Sequence, residues 1–135
     1  MKPTVNSNSQ SHNIYFIMTF VLLFCIPLHA SADPLIEKGK SVYNGAGACS
    51  SCHGPEGAGD GPASAALNPK PANFVIGNYR IDTDGDGVAG TENDIYNIIT
   101  KGAAAFGGNM MMVPRADLPE EDRRALAKYV ISLKK

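Results

Sequence analysis

The 135-residue chain contains no tryptophan, and aromatic residues make up only 7% of it. A core built from large rings alone is therefore excluded. Charge is also sparse: 12 Lys+Arg stand against 13 Asp+Glu, and charged residues reach only 19%. This balance removes the basic footprint of a nucleic-acid binder. It equally removes the acidic, self-repelling composition of a disordered tail. There is no internal repeat and no polar–apolar alternation longer than a few residues, so strands are not expected. Cysteine and histidine number three each, and an odd set of cysteines cannot pair completely. In their place are 14 Gly and 9 Pro, the mark of a loop-rich domain. At this length a single domain is expected.

The first 32 residues read as an export leader. Residues 14–28 are almost wholly apolar, follow a polar stretch with Lys2, and lead to Ala30-Ser31-Ala32, a small-residue cleavage pattern. A signal peptide cleaved after Ala32 is predicted, which implies a periplasmic location and no stable membrane insertion after cleavage. The apolar run is short for a spanning helix. An uncleaved anchor is the alternative. Cys25 lies within the apolar run after Phe24, which does not suit a lipidation site.

The mature chain expected from that cleavage, residues 33–135, keeps only Cys49, Cys52, His53 and the run Met110-Met111-Met112 from the redox-active and metal-ligating Cys, His and Met set. Asp33-Pro34 suits a helix start, and Leu35, Ile36, Gly39, Val42 and Tyr43 recur at helical spacing up to Gly45-Ala46-Gly47. Residues 53–73 are predicted to be mostly loop, with a short helix within 64–67. A second helix is predicted at about 92–101, capped by Thr91 or Asn93 and ended by Gly102. Residues 103–117 read as a further loop. A last helix is predicted at about 119–133, with Leu126, Tyr129, Val130 and Leu133 on one face and acids in its first turn.

Cys49-Ser-Ser-Cys52-His53 has the C-x-x-C-H spacing of c-type haem attachment. Two thiols add across the porphyrin vinyl groups as thioethers, and the adjacent histidine reaches the iron. Competing readings are a zinc site, a redox-active disulfide and a structural disulfide. Structural zinc wants four protein ligands, so here it would need an Asp or Glu. A redox disulfide of thioredoxin type lies near a βαβ pattern, and none is visible. With the motif using the Cys and His, a second axial ligand must be methionine, lysine, tyrosine or water, or the position is open. If the methionine run is extended, Met110 and Met112 share a face and Met111 opposes them.

In this order, these features resemble a class I cytochrome c of the small bacterial periplasmic type. The likeness runs through Gly39 and Tyr43, Cys49–Gly54, Gly59-Asp60-Gly61-Pro62, Pro69–Phe74, the helix ending at Gly102, Gly107-Gly108, the methionines and the final helix. The resemblance implies an all-α fold whose first and last helices cross, with three to five helices around one covalent haem. It implies electron transfer and no chemistry on a substrate. Cys49 and Cys52 then carry the thioethers and His53 is the proximal ligand. Pro62 matches the proline whose carbonyl accepts the imidazole N–H. The family usually has Met directly followed by Pro, while here Val113 intervenes before Pro114; proximity to the proline favours Met112 over Met111 as the sixth ligand. The final helix has Pro119 where relatives often have a Ser cap.

The partners implied are redox proteins: a membrane complex, a dehydrogenase or a terminal reductase, met through small transient contacts by a monomer. A redox subunit within a larger dehydrogenase or reductase complex is the second reading. A haem protein with an open distal site is the third. Separately, Asp82-Thr-Asp84-Gly-Asp86-Gly87 matches the opening of a calcium loop. Asn93 stands where that loop needs Glu, so calcium at Asp82, Asp84 and Asp86 competes with a plain Asp/Gly turn that Arg80 could stabilise.

Overall fold

The structure is a computed structural model that describes Met1 and residues 33–135. The expected leader, apart from Met1, lies outside the described residues. Four α-helices are present among the described residues, and no strand. They are α1 (Pro34–Asn44), α2 (Ser50–His53), α3 (Glu92–Lys101) and α4 (Glu120–Ser132). Single 3₁₀ turns occupy Pro62–Ala66 and Ala103–Phe106.

Local chemistry explains most of these boundaries. Asp33 Oδ1 accepts the Leu35 N–H at 2.9 Å at the start of α1. The other carboxylate oxygen pairs with Lys128 of α4 at 2.7 Å. At α3 the cap is Thr91, whose hydroxyl accepts the Asp94 N–H while Asp94 bonds back to the Thr91 backbone. Gly102 ends α3 at φ 78°, a conformation a side chain resists. At α4 no side chain caps the first turn, and Pro119 stands at the cap position. Three first-turn acids suit the helix dipole there. Lys38 of α1 reaches two of them, at 2.5 Å from Glu121 and 3.0 Å from Asp122.

Helices α1 and α4 cross in close contact at Gly39. A Cβ at that position would strike the Ala125 carbonyl and come within 2.6 Å of Tyr129 Cβ. Glycine is thus what lets the two backbones meet. Beside the crossing, fully buried Tyr43 meets Tyr129 edge-on, with ring centroids 5.3 Å apart. Its hydroxyl donates to the Gly54 carbonyl at 2.7 Å. An aromatic pair and a buried hydrogen bond of this kind contribute about 1 kcal/mol each. The Tyr43 bond also ties the crossing to the end of α2. Ile95 and Ile99 of α3 join Leu126 and Val130 of α4 in the same core.

The all-α expectation holds. Two short elements differ from the sequence reading. The cysteine motif itself winds into the single helical turn α2. The turn in the 60s begins at Pro62 rather than at residue 64.

Candidate functional site

The C-x-x-C-H run is a helical turn because its backbone closes on itself. The Cys49 carbonyl accepts the Cys52 N–H at 3.2 Å and the His53 N–H at 2.9 Å. Positions i, i+3 and i+4 of a helix share a face, so Cys49, Cys52 and His53 are grouped without any long-range help. Both cysteines are free thiols. Burial pushes the Cys49 thiol up to about 11, against the opposing charge of Arg115. A thiol held protonated is a poor redox nucleophile, which weakens the thioredoxin-type reading. Among the described residues, the only cluster of three potential Cys, His or carboxylate ligands is Asp82, Asp84 and Asp86. Among the described residues no fourth such ligand joins Cys49, Cys52 and His53, which leaves zinc short of the four ligands of a structural site.

The His53 ring is held on two sides. It stacks on Phe74 with centroids 4.4 Å apart and planes 18° from parallel. Its Nδ1 lies 3.1 Å from the Ala72 carbonyl oxygen. A carbonyl only accepts, so Nδ1 carries the proton and Nε2 keeps a free lone pair. Burial pushes the imidazole pKa down despite the Ala72 bond, favouring the neutral ring. A neutral imidazole with its other nitrogen bonded to a carbonyl is the form that ligates metals.

Here the structure corrects the expectation for Pro62. That residue is exposed and opens a 3₁₀ turn, and Ala72 bonds the imidazole instead. The reason is the long loop after the motif. The Phe74 N–H donates to the Gly57 carbonyl at 2.8 Å, which draws residues 72–74 back beneath the His53 ring.

Cys52 and His53 line a cavity of about 580 Å³, within the range of cofactor pockets. Ile95, Ile98 and Ile99 of α3 form an apolar wall, and Met111 and Met112 also line the space. The methionine run is a turn, not an extended segment. Asn109 Oδ1 accepts the Met111 N–H at 2.8 Å, and the Asn109 carbonyl accepts the Met112 N–H at 3.1 Å. Met111 and Met112 consequently share the cavity and Met110 does not, which reverses the alternation expected of an extended run. Met111 remains 61% exposed, whereas Met112 is half-buried. The Met112 carbonyl is further fixed by the Ala103 N–H at 3.0 Å.

An apolar cavity, two free thiols and a neutral imidazole with an available Nε2 fit a haem. The family likeness already took in Ala72 and Phe74, but the sequence carried no sign of what they or Asn109 do here. Ala72 acts through its carbonyl, which any residue has. Phe74 and Asn109 act through turns that local patterns do not reveal.

The Asp82–Gly87 loop is bonded mostly within itself. Asp82 accepts N–H groups from Gly85 at 2.7 Å and Gly87 at 2.8 Å, and the Gly87 bond is the main reason its pKa lies below the usual range. Asp86 accepts from Val88, and Asn93 donates to Asp84 at 2.7 Å. Arg80, one candidate for stabilising the loop, donates instead to the Lys70 carbonyl at 3.1 Å. Buried Asp94, absent from the expected site, braces the same loop by accepting the Thr83 N–H at 2.6 Å and its hydroxyl at 2.8 Å.

The chain is 28% identical over 117 residues to the cytochrome c subunit of the quinone alcohol dehydrogenase of Gluconobacter oxydans (strain 621H), a match covering 76% of this chain and 24% of that one. The chain thus spans about a quarter of that relative's length. A chain of the reducing HAO-like protein complex of Kuenenia stuttgartiensis superposes with a TM-score of 0.60 at 38% identity, covering 73% of this chain and 42% of that one. No helix among the described residues is long and apolar enough to cross a membrane. The family model for cytochrome c matches residues 36–134, nearly the whole described region, and the chain belongs to the cytochrome c family.

Proposed function

We propose that this chain carries one covalent haem c on Cys49 and Cys52, with His53 and Met112 as axial ligands, and moves single electrons between redox partners in the periplasm. The observation that carries this reading is the shared cavity: the imidazole and the half-buried Met112 line one apolar space. When bound, the haem supplies a one-electron ferric–ferrous couple, and a thioether ligand favours the reduced form. The protein's part is to hold the ligands still. Ala72 and Phe74 fix the imidazole, and Asn109 and Ala103 fix the methionine turn. Isoleucines of α3 exclude water from the cavity wall. If His53 and Met112 both held the haem iron, no position would be left on it for a substrate, and the chain would transfer electrons without catalysing a reaction of its own.

The periplasmic assignment rests on the leader read at residues 1–32. The partners are redox proteins met transiently, with this chain acting as a monomer. Both matched proteins belong by name to larger assemblies, which favours a second reading in which this domain serves as the electron-transfer subunit of a dehydrogenase or reductase. Copurification of a larger chain with the periplasmic protein would select that second reading.

The test is the absorption spectrum of the ferric protein. A weak far-red sulfur-to-iron band is expected, and it should vanish in Met112→Ala. Absence of the band in the wild type, with rapid carbon monoxide binding by the ferrous protein, would instead select an open distal site.

A further inference from the structure

One charged side chain joins the two halves of the site and is used by nothing described so far. Arg115 lies three residues beyond Met112, and its side chain is 22% exposed. Its guanidinium donates to the Gly47 carbonyl at 2.5 Å and to the Ala46 carbonyl at 2.8 Å, two and three residues ahead of Cys49. Asp117 grips the same group in a two-pronged contact, Nε to Oδ1 and Nη2 to Oδ2, each at 2.9 Å. The Arg115 N–H meanwhile donates to the Ile99 carbonyl at 2.7 Å, near the end of α3. One residue therefore fastens the segment after the methionine turn to the cavity wall through its backbone. Through its side chain it fastens the same segment to the turn that carries the first thioether cysteine.

We propose that Arg115 is a positioning residue that clamps the methionine-bearing segment to the Cys49 turn and so keeps the distal ligand seated. This rests on the reading of Met112 as that ligand. The geometry demands arginine in particular. Four bonds leave one planar group along separate directions, two toward carbonyls and two toward a carboxylate. A lysine ammonium at that place cannot span both carbonyls and the carboxylate together. Pro114 precedes Arg115 and stiffens the link, so a displacement of the arginine is passed back toward Met112 instead of being absorbed by a loose chain.

The expected consequence is a local opening equilibrium. The distal position becomes accessible when the methionine segment lifts, and the apparent affinity of an added ligand scales with the open fraction. Imidazole added to the purified ferric holoprotein reports that fraction directly, followed by loss of the far-red band. In Arg115→Ala, imidazole should bind at least tenfold more tightly than in the wild type. Arg115→Lys should fall between the two, having kept the charge but lost the fork. Asp117→Asn, which leaves the arginine in place but loosens its orientation, should gain about threefold. Guanidinium unfolding followed by far-ultraviolet circular dichroism measures global stability separately, and a merely structural arginine would lower that stability without moving the imidazole constant.

An imidazole affinity within twofold of wild type in Arg115→Ala overturns the proposal. If Arg115→Ala does not mature, Asp117→Asn carries the test, and an unchanged affinity there overturns it equally. Failure of the underlying reading looks different: the wild type itself would lack the far-red band, and the proposal would fall with it.

Discussion

The two sides of the cavity are built in different ways. On the His53 side, Cys49, Cys52 and His53 lie within one helical turn closed by its own backbone, and the half-buried ring is held by Phe74 and the Ala72 carbonyl. On the methionine side, the ligand segment is a turn with Met111 largely exposed. It is held by two bonds to Asn109, one from Ala103, and the reach of Arg115 across to Gly47. Local spacing thus groups the ligands of one side, while the other depends on contacts between residues as far as 69 positions apart. Exposed segments held by few bonds are where local opening is least costly. The methionine side is accordingly the one that should yield first.

That asymmetry can be broken most strongly at Phe74. Phe74→Ala removes a buried ring that supports the imidazole, and should destabilise the protein by about 3 kcal/mol or more in chemical unfolding. Ile98→Ala on the α3 wall of the cavity, where the side chain is half-buried, should cost clearly less. Equal losses would remove the distinction between the two sides.

A smaller effect is expected at Asp94, beneath the N-terminus of the α3 wall. Burial alone would raise its pKa, but bonds from Thr83 and Thr91 outweigh that and bring it down to about 2. A carboxylate whose folded pKa is depressed contributes stability that is full above its unfolded value. That contribution is lost as pH falls through the folded value. The difference is worth about 2 kcal/mol. Asp94→Asn should therefore be destabilised by roughly that amount at neutral pH. Its gap from the wild type should close as pH falls from about 5 toward 2. A gap that persists undiminished at low pH would assign the loss to packing rather than charge.

The smallest effect concerns the loop leading into α3. Its carboxylates already hold backbone and Asn93 donors, so chelation should leave the melting temperature unchanged within about a degree. A rise of several degrees on adding calcium would show that an ion, and not only Asp94, braces that wall.

The legibility of the site follows the same division. Thr91 and Gly102 bound α3 as the sequence predicts, because caps and positive-φ glycines act within a few residues. Cys49, Cys52 and His53 were legible for the same reason, since their spacing alone puts them on one face. Pro62 was not. Its expected role passed to Ala72 because the Phe74–Gly57 bond folds a long loop back under the ring, and no local pattern encodes that return. The methionine register stayed open between Met111 and Met112 because Asn109 bends the run into a turn. Arg115 carried no signal at all, since its partners are the carbonyls of Ala46 and Gly47 rather than a recognisable side-chain motif.

The central claim is that Met112 closes the distal side of a haem held by Cys49, Cys52 and His53. The far-red band of the ferric protein, recorded for the wild type, Met111→Ala and Met112→Ala, tests it most directly. The account predicts a band in the wild type and in Met111→Ala. It predicts none in Met112→Ala, with a reduction potential lower by on the order of 100 mV, a fraction of the ~0.8 V range that axial ligands span. A band that survives in Met112→Ala and disappears in Met111→Ala would contradict it.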